Sequence, residues 1–212
     1  FTQVVAVEGS RPFYESLRER AVSHANIKAV QADVMEYAPE GRYEMIFLGG
    51  LLMYLNEADV ISLLNRLRPL LNPGGIILCR ESTVRKGSET RQGEYQATYR
   101  SVENYETLFQ QCGLSPVRRE LNAPYVLLQM GCEMVKVWKA MIPQVLQALP
   151  LVGCLVYGGL RLGNPWIARL PAMLGCNFPH LTNHFFLLQP ASAKGRPGYA
   201  GRTDDRTVLR RA

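Results

Sequence analysis

The sequence has no apolar run long enough to cross a bilayer. The longest, around ALPLVGCLVYGGL, is apolar for about 13 residues before Arg161, against the roughly 20 that a spanning helix needs, so no transmembrane segment is expected. It has no CxxC pair. Its five cysteines (Cys79, Cys112, Cys132, Cys154, Cys176) are odd in number and widely spaced, which argues against a zinc site and suits a reducing, cytoplasmic compartment. Only three histidines are present, and His180 and His184, four apart, are separated from a helical reading by Pro179 and a following apolar strand, so no metal is expected. Outside one loop there is no basic groove with interleaved aromatics. Formal net charge is +6, but residues 190–212 hold six Lys or Arg against two Asp, leaving +2 for the rest, so a nucleic-acid partner is not expected. That tail, rich in Gly, Pro and Arg, reads as disordered, with weak contact to an anionic membrane surface as the sharper alternative. Nothing before VVAVEGS reads as a leader, and the chain opens on Phe1 rather than Met, so its N-terminus reads as cut.

What is present is a rhythm of short apolar runs and helical periods. Val4 to Val7 run into Glu8, Gly9 and Ser10, as a buried parallel strand does when it delivers a carboxylate to a ligand at its C-terminal end. A helix follows behind a serine cap, with Phe13, Leu17, Ala21 and Val22 along one face. Ile27 to Gln31 is a strand ending in Ala32-Asp33-Val34, and YEMIFLGG is another, running into Gly49 and Gly50. LLMYLNEADVISLLNRLRPLL carries Ala58, Ile61, Leu64, Leu67 and Leu71 at helical spacing until Asn72-Pro73-Gly74-Gly75 ends it, and IILCRES is a further strand. This alternation predicts a parallel sheet with right-handed crossovers. RSVENYETLFQQCGL then reads as a helix from Ser101 to Gly113, SPVRRELNAPY as a strand, and HFFLLQ as the last strand after a proline-cut apolar region.

In this order, VVAVEGS, ADV, YEMIFLGGLLMYL and LLNPGGIILCRES resemble the second to fifth strands of class I S-adenosylmethionine-dependent methyltransferases, from Val4 to about Arg119 and again from His184 to Gln189. The resemblance implies a Rossmann-like, mostly parallel sheet with an antiparallel edge hairpin and an inserted helical cap. It also implies that the family's first strand, with its glycine-rich turn, lies upstream of Phe1. The expected division is a core over residues 1–125, a helical apolar insertion over 126–183, a final strand over 184–189 and the basic tail over 190–212.

The implied cofactor is S-adenosylmethionine. Glu8, beside Gly9, would accept the ribose hydroxyl hydrogens; Asp33 would accept the adenine amine, with Val34 lining the base; Gly49 and Gly50 would let the chain pass close to the ligand, with Leu51 covering it. Tyr54 is placed to face the methyl group, and Glu81, with Ser82 beside it, is the candidate base. The loop TVRKGSETRQGEYQATYRSVENY offers Arg91, Arg100, Tyr95 and Tyr99 to an acceptor and loosely resembles the acceptor-binding stretch of phosphoethanolamine methyltransferases. A small-molecule or lipid-like acceptor is therefore expected. Two other readings stay open: a nicotinamide-dependent Rossmann oxidoreductase, and a methyltransferase-like binding module without catalysis.

Overall fold

The computed structural model describes residues 1–93, 95–141 and 179–191, with a few positions between 154 and 162. The remainder of the apolar insertion and the basic tail, both singled out in the sequence, lie outside the described residues.

The strands form two sheets. In the smaller, β1 (Val4–Glu8) pairs in parallel with β2 (Ile27–Gln31), Glu8 opposite Gln31. Helix α1 (Arg11–Ala21) makes the crossover, opening behind Ser10 with Pro12 in its first turn, where a missing amide costs nothing. None of α1 is buried; Phe13 and Val22, expected on an inward face, are exposed. In the larger sheet, β3 (Tyr43–Gly49) pairs in parallel with β4 (Leu71–Val84), which pairs on its other edge antiparallel with β8 (Thr182–Pro190), and β8 in turn with β7 (Leu114–Leu121). Among the described residues no strand lies between β1 and β3.

Three sequence expectations are corrected. The Asn72-Pro73-Gly74-Gly75 turn does not precede its strand but belongs to it: the register steps from Tyr43 opposite Leu71 to Met45 opposite Ile76, a bulge in β4. Gly75 is required there, because a Cβ would stand 2.9 Å from the Tyr43 carbonyl oxygen and 3.0 Å from that of Asn72. The Arg and Tyr loop is a hairpin, β5 (Ser88–Arg91) against β6 (Ala97–Ser101), and β6 pairs with the last two residues of β4. The last strand starts at Thr182, two residues before HFFLLQ.

Helix α2 (Glu57–Leu67) starts behind Asn56, whose side chain accepts the Asp59 amide hydrogen. It buries Leu64 and Leu67 as expected, with Val60 and Leu63 rather than Ala58 and Ile61 completing the buried stripe. Helix α3 (Val102–Gln111) is capped by Ser101 and stopped by Gly113, as expected, and buries Tyr105, Leu108 and Phe109. These two helices close over β4 and β8 through Ile77, Cys79, Phe186 and Leu188, with Phe109 and Phe186 edge to face at 5.4 Å. Each fully buried large apolar side chain is worth about 1.5–3 kcal/mol, so the larger sheet carries most of the stability. Helix α4 (Ala123–Met141) follows β7 directly, starting three residues before the expected boundary of the insertion. No helix among the described residues is long and apolar enough to cross a membrane.

One side chain ties the two sheets together. Arg66, on α2, donates through Nη1 to the Met35 carbonyl and through Nη2 to that of Val34, in the turn that follows β2. Val34 and Met35 also pack against the core.

Candidate active site

The expected site residues gather in two groups at the C-terminal ends of the strands. In the first, the Ala32 amide donates to the Glu8 carbonyl at 3.2 Å, and a Cβ on Gly9 would lie 3.4 Å from the Ala32 oxygen, so the turns after β1 and β2 touch. Each turn ends in a carboxylate. Glu8 accepts the Ser10 amide hydrogen through Oε1 at 2.9 Å, and Asp33 accepts that of Met35 through Oδ1 at 2.7 Å. In both cases one oxygen fixes the turn while the other has no partner among the described residues, which is the donor-hungry arrangement that a ribose hydroxyl and an exocyclic adenine amine would satisfy. Val34 lies beside them, half-buried.

The second group is built where β3 hands over to α2. Gly50 has φ +72°, a conformation that L side chains rarely adopt, and its amide donates to the Arg80 carbonyl at 2.7 Å. Leu51 follows, and Leu52–Tyr54 form a short 3-10 turn. Glu81, expected as a base reaching the acceptor, is instead fully buried beneath this turn, its Oε1 accepting the Leu51 and Leu52 amide hydrogens, each at 3.2 Å. Burial pushes its carboxyl up to about 7, against the opposing pull of those amides and of Arg100. Arg100, expected to grip an acceptor, is 1% exposed and donates to the Leu52 carbonyl at 2.9 Å and the Leu55 carbonyl at 2.7 Å. Its guanidinium also lies over the Tyr105 ring at 5.8 Å.

Of the remaining candidates, Tyr54, Arg91 and Tyr95 are exposed, Tyr99 is half-buried and Ser82 is buried. Tyr54 is half exposed, and its phenol is raised above the ordinary tyrosine value first by burial and then by the nearby phenols of Tyr99 and Tyr125, the Glu81 carboxyl and the phenol of Tyr95. Tyr95 is largely exposed on the hairpin. Arg91 pairs with Glu89 at 2.7 Å and stands over the Tyr99 ring at 5.3 Å. Ser82 is buried, donating to the Tyr125 hydroxyl at 3.4 Å and accepting from Asn183 at 3.5 Å.

The two histidines do different work. His184 is half-buried in β8, bonded through Nδ1 to the Thr83 hydroxyl at 2.8 Å, and is lowered to about 4, chiefly by desolvation and secondarily by Arg119. His180 joins the hairpin to α4: its Nε2 meets Glu89 at 2.6 Å and its backbone amide donates to Glu133 at 2.9 Å. Among the described residues no cluster of three or more His, Cys, Asp or Glu could hold a metal.

Sequence reasoning missed Arg66 and Tyr125. Arg66 reads as an ordinary solvent-facing arginine of a helix, and Tyr125 sits past the end of β7 with no periodicity to mark it. Only the packing of α2 on the β2 turn, and of α4 on β4, brings them to the site.

The model of the family described as AdoMet dependent proline di-methyltransferase matches residues 1–130. Among curated proteins, the chain is 28% identical over 120 residues to Alpha N-terminal protein methyltransferase 1 of Arabidopsis thaliana, covering 54% of this chain and 43% of that protein. It is 28% identical over 115 residues to Phosphoethanolamine N-methyltransferase 1 of the same plant, covering 53% and 23%. The chain thus spans less than half the length of these relatives. Among solved structures, it is similar to the O-methyltransferase of a trans-AT PKS multienzyme of Brevibacillus brevis in complex with S-adenosyl-L-homocysteine. The TM-score is 0.60 at 15% identity, over 89% of this chain and 59% of that one. A SAM-dependent methyltransferase of Leishmania major gives a TM-score of 0.56 at 14% identity, over 89% and 55%. At these identities the likeness is one of fold, and that fold is the expected Rossmann-like α/β class.

Proposed function

Because the chain belongs to the AdoMet dependent proline di-methyltransferase family, we propose that the protein transfers the methyl group of S-adenosylmethionine to the nitrogen of an amine-bearing acceptor. The observation that carries this reading is the set of tyrosines above the glycine turn. The phenols of Tyr95, Tyr99 and Tyr125 each lie near enough to that of Tyr54 to raise it, and the face of Tyr99 already holds a cation, the Arg91 guanidinium, at 5.3 Å. Aromatic faces attract ammonium groups, increasingly so as methyl groups replace their hydrogens and their hydration weakens. Two relatives support the choice of nitrogen, one named for protein N-termini and one for phosphoethanolamine.

When bound, S-adenosylmethionine supplies a methyl group on a sulfonium, a leaving group that needs no nucleophilic residue from the protein. The protein's own part is alignment and exclusion of water. Glu8 and Asp33 would hold the nucleoside end, Gly50 would let the chain approach it, and the tyrosines would orient the acceptor nitrogen. A second reading, an acceptor with an apolar body and an anionic group, keeps Arg91 as its grip; the Arg100 guanidinium is already bonded to protein carbonyls.

Incubation with methyl-labelled S-adenosylmethionine and three acceptors, a peptide beginning with proline, phosphoethanolamine and a catechol, tests the proposal. Label on nitrogen of either amine, with the acceptor KM raised at least tenfold by Tyr99→Ala, is expected. Label on the catechol oxygen alone would overturn it.

A further inference from the structure

Two buried side chains, a carboxyl and a guanidinium, hold one short turn from both sides. Glu81 comes from β4 and Arg100 from β6, and neither is more than 1% exposed. They make no direct ion pair. Instead Glu81 accepts the amide hydrogens of Leu51 and Leu52, and Arg100 donates to the carbonyls of Leu52 and Leu55. The Leu52 residue therefore lies between them, its N–H on the carboxyl and its C=O on the guanidinium. The turn so held begins at Gly50, whose positive φ gives the chain freedom to leave β3 in other directions. It ends at Leu55, just before the Asn56 cap of α2, and it carries Tyr54 outward.

Burying a carboxyl and a guanidinium costs several kcal/mol of desolvation, and apolar replacements of similar volume are often as stable, so stability alone is a poor account of the pair. What the pair supplies and an apolar core does not is direction. A 3-10 turn has few internal hydrogen bonds, and its orientation is set by whatever its free amides and carbonyls meet. Here four of them meet rigid side chains, one planted in the central strand and the other capping the end of that strand through the Thr83–Arg100 register. The Arg100 guanidinium is itself braced on the Tyr105 ring of α3.

We infer that Glu81 and Arg100 are positioning residues, a two-sided clamp on Leu51–Leu55 that fixes where Tyr54 meets the acceptor, and that Glu81 does not act as the catalytic base. This rests on the reading of Tyr54 as part of the acceptor wall. Its chemistry makes a definite demand. A glutamine at position 81 keeps the oxygen that receives the two amides and cannot take up a proton from an acceptor, whereas a leucine keeps neither property. A lysine at position 100 keeps the charge but loses the fork that spans the two carbonyls.

The test compares Glu81→Gln, Glu81→Leu, Arg100→Lys and Arg100→Met in the whole protein. It measures kcat and KM for the methylated amine across pH, together with amide hydrogen exchange over residues 51–55. Glu81→Gln is expected to lose less than fivefold in kcat/KM and to keep the wild-type pH profile and slow exchange. Glu81→Leu and both arginine variants are expected to raise the acceptor KM at least tenfold and to speed exchange at Leu51 and Leu52. A hundredfold fall in kcat for Glu81→Gln, with loss of the acidic limb of the pH profile, would mark Glu81 as the base and overturn the inference. So would wild-type exchange in Glu81→Leu and Arg100→Met. Where no amine is methylated by the wild type, the functional reading fails, and the exchange data alone decide the clamp. Should the leucine and methionine variants not fold, the contrast between Glu81→Gln and Arg100→Lys supplies the same answer.

Discussion

Glu8→Gln separates a cofactor ligand from a turn-forming acid. The Glu8 carboxyl has two oxygens: Oε1 accepts the Ser10 amide at 2.9 Å, and under the proposed function the other would accept a ribose hydroxyl. Glutamine preserves the first bond through its own carbonyl oxygen. It replaces the second oxygen by an NH2 donor, which cannot accept a hydroxyl hydrogen. The loss is one hydrogen bond to a charged group, about 1.5–3 kcal/mol, and at about 1.4 kcal/mol per decade the cofactor Kd should rise roughly 12- to 140-fold. Folding stability should stay within about 0.5 kcal/mol, as for a surface change that keeps its local contact. Glu8→Ala should match that loss of affinity and also cost about 0.5–1.5 kcal/mol of stability, since the Ser10 amide loses its partner. Isothermal calorimetry with S-adenosylmethionine and urea unfolding of the free protein read the two quantities. Equal affinity of wild type and Glu8→Gln would refute the reasoning, and a drop in stability without a change in affinity would assign Glu8 to the turn alone.

Two further outcomes follow from charges placed by the fold. Arg66→Met should raise the cofactor Kd about five- to thirtyfold by calorimetry while leaving kcat at saturating cofactor near wild type, because the Val34 and Met35 carbonyls lose the guanidinium that holds the turn after β2. In urea unfolding against pH, Glu81 and His184 should oppose each other. Glu81, raised to about 7, contributes stability that is present below about pH 4.5 and lost as pH rises through 7, whereas His184, lowered to about 4, contributes stability present above about pH 6.5 and lost as pH falls through 4. Each contribution is roughly 3 kcal/mol, because a tenfold change in proton affinity between the folded and unfolded chain is worth about 1.4 kcal/mol. Glu81→Gln should therefore turn a nearly flat profile into one that climbs from about pH 4 to 6.5; an unaltered profile would show that Glu81 is not buried as a titrating group.

Much of the site was legible because strand ends announce themselves. An apolar run that stops at Glu8, and a short strand that stops before Ala32-Asp33, place acids where a parallel sheet presents ligands, whatever packs beneath them. Gly50 was legible for a related reason, since a glycine at a strand end marks a backbone that leaves the sheet at positive φ. The hairpin of Arg91, Tyr95, Tyr99 and Arg100 was not legible as strands: its charged, glycine-bearing sequence has the composition of a loop, and β5 and β6 form because β4 offers Thr83 and Val84 as a template.

The sequence by itself determined the order of strands and helices outside the β5–β6 hairpin, the capped start of α3, the carboxylates at the ends of β1 and β2, and membership of an S-adenosylmethionine-dependent family, because each rests on local pattern: side-chain periodicity, cap chemistry and the residue that follows a strand. Only the tertiary structure decided which charges are spent inside. Arg100 reads in the sequence as one more cation beside tyrosines, and Glu81 as an exposed strand-end acid. It is the packing of α3 over β4 and β8, and the pairing of β6 with the tip of β4, that withdraws both from water. Once water is excluded, an ion must find its partners in the protein, and the nearest were the free amides and carbonyls of the Leu51–Leu55 turn.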